Sequence, residues 1–383
     1  MKNRYIKFSE PLIGKEEIKS VEKVLKSGWL TTGLKTKDFE NKFSKNKKAK
    51  YALALNSCTA ALHLSLRLLN LKKNDEVITS ALTFSSTINS IVISGAKPVL
   101  ADVEFNSQNI DPEQIEKKIN KKTKAILIVH FAGRPCNMDQ IMKIVKKYNL
   151  YLIEDCAHAI ESKYKGKNVG TFGTFGCFSF YATKNLSIGE GGMLLTNEKK
   201  FYEKARILSL HGMDKAAWNR YGKNGYRHYD VSEIGYKYNL MDLLSVIGIE
   251  QLKRLENNLK IRKKLWETYH KHFNSKTFDI PKLWDKKKIQ HSYHLFNIYL
   301  NKKRDKISRD EAIIRLHKKK IGVGIHYRAI PDHSIYRKMF SWKIDDYPNA
   351  KKIGRGTLSL PLSPSLSIKE LKRVINSINI LTK

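Results

Sequence analysis

The feature that most constrains the fold is a regular alternation of short apolar runs and helical segments between Tyr51 and Asp155. This order is typical of a mostly parallel sheet whose two faces are covered by helices. We therefore predict an α/β fold. The predicted strands cover 51–55, 76–79, 98–103, 125–130 and 151–155, and the predicted helices cover 60–69, 85–94, a segment that begins at Asp111, and 138–148.

Two predicted helices precede this alternation, and the segment that follows it predicts a second, smaller domain. A helix over 15–26 precedes Gly28, and a second helix carries Phe39 and Phe43. After Leu252 we predict a charged helix over 255–273, strands over 293–300 and 322–327, a helix over 309–319, and a last helix that opens with the capping box Ser367–Glu370. The predicted large domain is 1–254 and the smaller C-terminal α/β domain is 255–383. For residues 1–30, packing against the small domain is the alternative.

The net charge of +36 raises nucleic-acid binding as an alternative function, because a basic surface attracts phosphates. The excess is mostly lysine, however, and it is spread along the whole chain without a zinc-finger, helix-turn-helix or RNA-binding signature. We therefore expect no nucleic-acid partner. The lysines would steer anionic substrates only mildly.

Cysteine usage and hydropathy exclude further classes. The four cysteines contain no CxxC pair, which argues against a disulfide framework and against a zinc site, so we expect no metal. No apolar run approaches the ~20 residues of a membrane span, and no signal-peptide segment follows Met1. We predict a cytoplasmic protein with no membrane partner.

A single lysine in an aromatic and glycine-rich stretch is a candidate nucleophile. Lys184 lies between the aromatic segment 178–181 and the glycine-rich turn 189–192. Desolvation lowers the pKa of a lysine, and the neutral amine can attack a carbonyl to form a Schiff base. The alternative is a lysine that caps the end of a strand.

Pyridoxal phosphate is the common carbonyl partner, and it needs a phosphate site, an acid at its ring nitrogen and a stacking face. The turn 57–59 precedes a helix whose positive end can bind phosphate, although an ordinary N-cap is the alternative. Asp155 ends a buried apolar strand, where a carboxylate is costly without a cation such as a pyridinium. Phe84 could stack on the ring, although a core position is the alternative.

Seven motifs in order resemble those of the DegT-like sugar aminotransferases, which are pyridoxal-phosphate enzymes of fold type I, the aspartate-aminotransferase-like fold. The resemblance extends from about Trp29 to Pro364. The motifs are NSCTAALHL at 56–64, TF at 83–84, EDCAHA at 154–159, SFYATK at 179–184, GEGG at 189–192, LHGM at 210–213 and GYKYN at 235–239.

The resemblance implies roles for individual residues. Lys184 would be the catalytic lysine, which forms the internal aldimine and shuttles protons. Asp155 would keep the pyridine nitrogen protonated, and His158 would lie beside the 3′-oxygen of the ring. The other implied cofactor-binding residues are Cys58, Thr59 and Ser179 at the phosphate, Phe84 on the ring, and Asn239, which reaches the phosphate from the other subunit of a homodimer with shared active sites.

The resemblance also implies the reaction. Relatives with histidine in place of the lysine are sugar dehydratases, and this chain has lysine at 184. The implied enzyme moves an amino group from L-glutamate to a keto group of a nucleotide-linked deoxysugar, for a polysaccharide such as lipopolysaccharide or for another glycan. Desulfurase, aldolase and dehydratase reactions are the rival possibilities within the fold type. Relatives build the sugar pocket at positions that correspond to Thr32, His211, His326 and Tyr327, although each of these residues alone could be structural.

Overall fold

The computed structural model describes residues 4–213, 229–273, 279–300, 305 and 307–381. Its largest sheet has seven strands in the order β1-β9-β8-β5-β4-β2-β3. The strands of the molecule are β1 (Tyr51–Leu55), β2 (Glu76–Ser80), β3 (Lys97–Ala101), β4 (Thr123–Val129), β5 (Tyr151–Asp155), β6 (Lys163–Tyr164), β7 (Lys167–Asn168), β8 (Phe175–Ser179), β9 (Gly192–Thr196), β10 (Ile289–Gln290), β11 (Phe296–Tyr299) and β12 (Thr357–Leu360).

The seven-stranded sheet is parallel except at one strand. The strands β3, β2, β4, β5 and β8 pair in parallel, whereas β9 runs antiparallel to both of its neighbours, β8 and β1. The strand residues are almost all buried, as expected for a sheet with helices on both faces. This confirms the predicted α/β fold with a mostly parallel sheet.

The helices of the described residues follow the strands in the predicted alternation. Asp111 caps the helix that begins at Pro112 and accepts a hydrogen bond from the backbone N–H of Glu113 at 2.9 Å. The helices are Lys15–Ser27, Leu34–Lys47, Cys58–Leu68, Ser85–Ile93, Pro112–Lys118, Met138–Lys147, Lys199–Ser209, Asp242–Lys253, Leu255–His272, Arg309–Lys318, Ser334–Phe340, Pro348–Gly356 and Ile368–Leu381.

The C-terminal part of the chain has its own apolar core around the helix Leu255–His272. Trp266 and Tyr269 from this helix pack in one cluster with residues of β11, β12 and the helix Ile368–Leu381. Ile6 belongs to the same cluster, so the N-terminal segment packs against the C-terminal part of the chain. The division of the chain into domains at residue 254 stays a prediction.

Two expectations for local structure were wrong. Residues 322–327 form no strand, because their backbone makes one isolated bridge, between Gly324 and Ser359, and the preceding Ile321 makes another, with Ile6. The predicted turn 57–59 is shorter than expected, because the helix already begins at Cys58. The capping box of the last helix is confirmed: the backbone N–H of Glu370 donates to Ser367 Oγ, and the backbone N–H of Ser367 donates to Glu370 Oε2.

In the described parts of the chain, no helix combines the length and the apolar character that crossing a membrane requires.

Candidate active site

Polar residues converge at one edge of the large sheet, where the parallel strands end. Asp155 is the last residue of β5, the middle strand, and Ser179 is the last residue of β8. Ser57 follows β1, and His130 follows β4. Because β9 runs the other way, its first residue, Gly192, lies at this edge too. This is the edge at which α/β sheets bind their ligands.

Lys184 lies in a tight turn after β8. Its backbone N–H donates to the carbonyl of Tyr181 at 2.8 Å, and the backbone of Tyr181 bridges to that of Gly189. Burial lowers the pKa of Lys184 to about 8, and the nearby Asp155 carboxylate opposes part of this shift. A substantial fraction of the amine is therefore neutral near physiological pH.

The carboxylate of Asp155 is buried with neutral partners. It accepts hydrogen bonds from the backbone N–H of Ala157 at 3.0 Å and from Thr87 Oγ1 at 3.4 Å. Burial raises the pKa of Asp155, while these hydrogen bonds and the charge of Lys184 lower it. No cationic side chain of the described residues donates a hydrogen bond to this carboxylate. The Asp155 carboxylate can therefore accept a hydrogen bond from a cationic ligand.

The helix Cys58–Leu68 points its N-terminus at the same edge. The side chain of Ser57 accepts from the backbone N–H of Ala60 at 3.1 Å, which makes Ser57 the N-cap. A Cβ on Gly192 would lie 2.3 Å from the backbone carbon of Ser57, so only glycine lets the helix approach the sheet this closely. Thr59 is exposed on the first turn, and the buried thiol of Cys58 lies 4.0 Å from Asp155 Oδ1.

His158 is buried and held in one tautomer. Its Nδ1 accepts from the backbone N–H of Ala132 at 3.2 Å, so the proton of the neutral ring is on Nε2, which lies 2.9 Å from the hydroxyl of Tyr327. Burial lowers the pKa of His158 well below its usual value, which keeps the ring neutral. The Tyr327 ring stacks on it at 5.8 Å between centroids.

Phe84 lies next to this pair on the solvent side. Its side chain is 56% exposed, and its ring centroid is 5.8 Å from that of Tyr327. The alternative that Phe84 is a core residue is therefore wrong. An exposed aromatic face beside buried polar groups is available for a planar ligand.

His326 is fixed at the same place through a chain of hydrogen bonds. Ser359 Oγ donates to Asn297 Oδ1 at 2.8 Å and accepts from His326 Nδ1 at the same distance. The ring of Phe8 stacks on His326 at 5.3 Å between centroids, which brings the N-terminal segment to the site. Burial and the charge of Lys184 lower the pKa of His326 to about 3.

Asn239 and Thr32 form a pair near the end of β1. The Asn239 side chain donates to Thr32 Oγ1 at 2.6 Å, and the backbone of Asn239 bridges to Leu55. Among the described residues, the buried Oδ1 of Asn239 has no hydrogen-bond partner. A donor from outside this chain would satisfy it.

His211 is a predicted site residue that the structure leaves apart from Lys184, Asp155 and His158. It is exposed and lies in a left-handed conformation after the helix Lys199–Ser209, where its backbone N–H donates to the carbonyl of Tyr236. In the described part of the chain, no hydrogen bond or ring contact joins it to Lys184, Asp155 or His158.

Sequence reasoning missed several residues of this site. Thr87 donates to Asp155, and its hydroxyl lies 2.8 Å from that of Thr83. Thr83 lies just before the helix Ser85–Ile93 and Thr87 lies in its first turn, and no local pattern singled out this pair. Asn185 and His294 also lie beside Lys184, and their 2.9 Å hydrogen bond joins residues 109 positions apart, which no local pattern reveals.

A buried cluster beneath the site, His130, Glu154 and Cys156, has the donor types of a metal site. The carboxylate of Glu154 already accepts from the backbone N–H groups of Gly170, Phe172 and Gly173 at 2.7–2.8 Å. His130 lies 3.0 Å from Glu154 and accepts from the backbone N–H of Cys136. These hydrogen bonds account for the cluster as a structural support of β5.

A family model for the DegT/DnrJ/EryC1/StrS aminotransferases matches residues 11–379. The chain belongs to this family. It is a pyridoxal-phosphate-dependent aminotransferase of fold type I, and the predicted family, fold and cofactor are confirmed.

Sequence and structural relatives of this aminotransferase agree with the assignment. The spore coat polysaccharide biosynthesis protein SpsC of Bacillus subtilis is 44% identical over 386 residues, which cover 100% of this chain and 98% of SpsC. Spr1654 from Streptococcus pneumoniae is described as a sugar aminotransferase and is solved in apo, PMP and PLP forms. Its apo structure is 30% identical to this chain, with a TM-score of 0.92, and the match covers 99% of this chain and 98% of that structure. Helicobacter pylori PseC, an aminotransferase involved in the biosynthesis of pseudoaminic acid, is 31% identical, with a TM-score of 0.90 and coverage of 99% of both chains.

Proposed function

We propose that this aminotransferase moves an amino group from L-glutamate to a keto group of a nucleotide-linked deoxysugar. The observation that carries the proposal is Lys184, whose amine has a pKa lowered to about 8 at the sheet edge where Asp155 ends β5. The sugar substrate is supported by relatives whose names refer to polysaccharide and pseudoaminic acid biosynthesis.

The residues at the sheet edge fit the cofactor. The buried carboxylate of Asp155 would accept from the ring nitrogen, and the room at Gly192 lets the N-terminus of the helix Cys58–Leu68 meet a phosphate. When bound, pyridoxal phosphate supplies an electron-accepting ring. We assign the phosphate to Cys58, Thr59 and Ser179, the stacking face to Phe84, and the 3′-oxygen to His158.

Lys184 would act as both nucleophile and proton carrier. A group with a pKa of about 8 is partly neutral near pH 7, so Lys184 Nζ can attack a carbonyl and can also take and return a proton. Asp155 favours the protonated form of whatever basic nitrogen it contacts, because the carboxylate is shielded from water. Lys184 would therefore transfer protons, and Asp155 would stabilise a positive charge.

We further propose a homodimer in which Asn239 reaches the phosphate bound by the other subunit. Its side-chain amide lies at the end of β1, where Nδ2 donates one N–H to Thr32 and carries a second N–H that could donate to a phosphate oxygen. Ile18 and Leu25 are seven residues apart on one helical face and are 64% and 54% exposed, and Leu34 is 86% exposed. Such exposed apolar residues are typical of a surface that another chain covers.

The sugar pocket is assigned to Thr32, His211, His326 and Tyr327. The contacts among Tyr327, His158 and His326 support the last two. Glycan biosynthesis, with lipopolysaccharide as one outcome, and a cytoplasmic location stay predictions.

The test is to incubate the protein, loaded with pyridoxal phosphate, with L-glutamate and a set of nucleotide-linked 3-keto and 4-keto deoxysugars. We expect one of them to be converted to the amino sugar, identified by mass spectrometry, with 2-oxoglutarate formed in equal amount. Amination of free keto acids but of no sugar in the set would overturn the substrate assignment and leave the aminotransferase assignment intact.

A further inference from the structure

Asn185, the residue after Lys184, uses its side-chain amide fully. Its Nδ2 donates to Glu161 Oε2 at 2.9 Å and to the backbone carbonyl of Ser292 at 3.0 Å. Its Oδ1 accepts from His294 Nδ1 at 2.9 Å. The turn that carries Lys184 is thereby tied to two other segments of the chain.

The first of these ties ends on a buried ion pair. Glu161 and Arg262 form a salt bridge in which their side chains are only 4% and 1% exposed. Arg262 lies in the helix Leu255–His272, and its Nε also donates to the carbonyl of Ser292 at 3.4 Å. Buried charges are costly unless each keeps its partner, so the pair is confined to a narrow range of geometries. Because Asn185 donates to Glu161, the position of the Asn185 side chain is restricted as well.

The second tie brings a histidine to the site. Because Asn185 Nδ2 is used in donation, its Oδ1 must accept, and the proton of His294 lies on Nδ1. The His294 ring centroid is 4.5 Å from that of His158, and burial keeps the pKa of His294 well below its usual value. The Nε2 of His294 is therefore an unprotonated acceptor on a ring that contacts His158.

Arg262 and Lys184 also line the same small cavity, together with Asn258 and Ser187. The ion pair is thus next to the turn that it restrains. Burial dominates the pKa of Lys184, and the charges that oppose it are those of Asp155 and Cys58 rather than Glu161, so an effect of the pair on Lys184 would have to be geometric.

We propose that Asn185 is a positioning residue for Lys184: it transmits the fixed geometry of the Glu161–Arg262 pair to the turn that holds the amine. This proposal rests on the proposed role of Lys184 as the residue that binds the cofactor. A misplacement of about 1 Å in a reacting group can lower a rate by about a hundredfold. Loss of the Asn185 contacts should therefore slow the attack of Lys184 on a carbonyl.

The test mixes the apo protein with pyridoxal phosphate and follows the visible band of the lysine-bound cofactor in a stopped-flow instrument. In Asn185→Asp the carboxylate replaces the donor to Glu161, and we expect band formation to slow by about tenfold or more. Asn185→Ala serves as the second variant. The matched control is Asn168→Ala, because Asn168 is also buried and donates to a backbone carbonyl, that of Lys47 at 3.0 Å, away from Lys184.

A double-mutant cycle tests whether the ion pair acts through Asn185. Arg262→Lys keeps a cation beside Glu161 but changes the geometry of the pair, so we expect band formation to slow. In the double variant Asn185→Ala with Arg262→Lys, we expect a rate no lower than in Asn185→Ala, because the contact that transmits the geometry of the pair is already lost. Thermal unfolding of each apo variant shows whether it is folded.

Three results would overturn the proposal. They are a double variant that is slower than Asn185→Ala, Asn168→Ala as slow as Asn185→Ala, and Asn185 variants as fast as the wild type. If the wild-type protein itself develops no band, the proposed function fails as well, which distinguishes the two failures.

Discussion

Burial controls the chemistry of the single residues around Lys184. Burial lowers the pKa of Lys184 to about 8, and it also lowers the pKa values of His158, His294 and His326. These histidines are therefore uncharged near neutral pH, although the chain as a whole carries a large positive charge. Asp155 is the residue whose charge opposes this trend at Lys184.

Replacing Asp155 should shift the titration of Lys184 in the apo protein. The carboxylate favours the protonated amine, so Asp155→Asn should move the pKa of Lys184 below about 8 and increase its labelling by an amine reagent at pH 7. The pH dependence of Lys184 labelling, measured by mass spectrometry, gives the midpoint. Thr87→Val is the control, because it removes a hydrogen bond of Asp155 without removing its charge. An unchanged midpoint in Asp155→Asn would contradict this account.

Removing the hydroxyl of Tyr327 should destabilise the fold modestly. In Tyr327→Phe the buried Nε2–H of His158 loses its partner, so we expect the free energy of unfolding to fall by about 1 kcal/mol. Tyr5→Phe is matched to it, because Tyr5 also bonds a histidine, His317 at 3.3 Å, but is 42% exposed. Urea unfolding measures the free energy of unfolding of both variants, and we expect a smaller loss in Tyr5→Phe. Equal losses in the two variants would contradict the stabilising role of the buried Tyr327–His158 hydrogen bond.

For single residues, the sequence predicted the candidates whose role can be inferred from their immediate neighbours in the chain. Lys184 and Asp155 stand out because each is an ionisable residue in an apolar or aromatic segment. Glu161 and Arg262 do not, because they are 101 residues apart and either could be a surface charge in this lysine-rich chain. Only the folded chain brings them together.

At the scale of elements, the site depends on how closely the helix Cys58–Leu68 approaches the sheet. Alternation predicted the five strands β1 to β5 within two residues because each is a buried apolar run. The same reasoning failed at 322–327, where Val323 lies between the glycines Gly322 and Gly324. A Cβ at those glycines would approach Phe8 within 3.1–3.3 Å, so they make room for the N-terminal segment rather than for a strand partner.

Gly192→Ala should weaken cofactor binding more than it destabilises the fold. The added Cβ would lie 2.3 Å from the Ser57 carbon, which forces the helix N-terminus away from the phosphate site. Loss of one hydrogen bond to a charged group costs about 1.5–3 kcal/mol, so we expect the Kd for pyridoxal phosphate to rise about tenfold or more. Equilibrium titration of the visible band measures this Kd.

Gly95→Ala provides the comparison. Gly95 has a φ of 89° and open space around it, so its substitution carries backbone strain of about 1–2 kcal/mol and no clash. It should lower the thermal midpoint while the Kd for pyridoxal phosphate stays near the wild-type value. An equal rise of Kd in both variants would refute the role of the helix approach.

At the scale of the whole molecule, the proposed dimer depends on exposed apolar residues that a second copy of the chain would cover. The spacing of Ile18, Val21 and Leu25 predicted a helix over 15–26 with these residues on one face. The observed helix is Lys15–Ser27, yet Glu17 and Val24 are the residues that it buries. The predicted apolar face thus points partly to solvent, because a periodic pattern does not tell a core face from an interface. The net charge of +36 likewise predicts no particular partner.

Introducing a charge at Leu34 should dissociate the proposed dimer. Leu34 is 86% exposed at the start of the helix Leu34–Lys47, so Leu34→Asp should leave the fold intact and shift the sedimentation coefficient to that of a monomer. Ile314→Asp, at a position 58% exposed on the helix Arg309–Lys318, should remain dimeric. A wild-type protein that sediments as a monomer would contradict the proposed homodimer with shared active sites.

The most direct test of the central claim is the visible absorption spectrum of the protein with pyridoxal phosphate, before and after L-glutamate, beside Lys184→Ala. The account predicts a band of the lysine-bound cofactor in the wild type, its loss when L-glutamate is added, and no such band in Lys184→Ala. A band that L-glutamate leaves unchanged would contradict the proposed donor. The same band in Lys184→Ala would contradict the assignment of Lys184 as the residue that binds the cofactor.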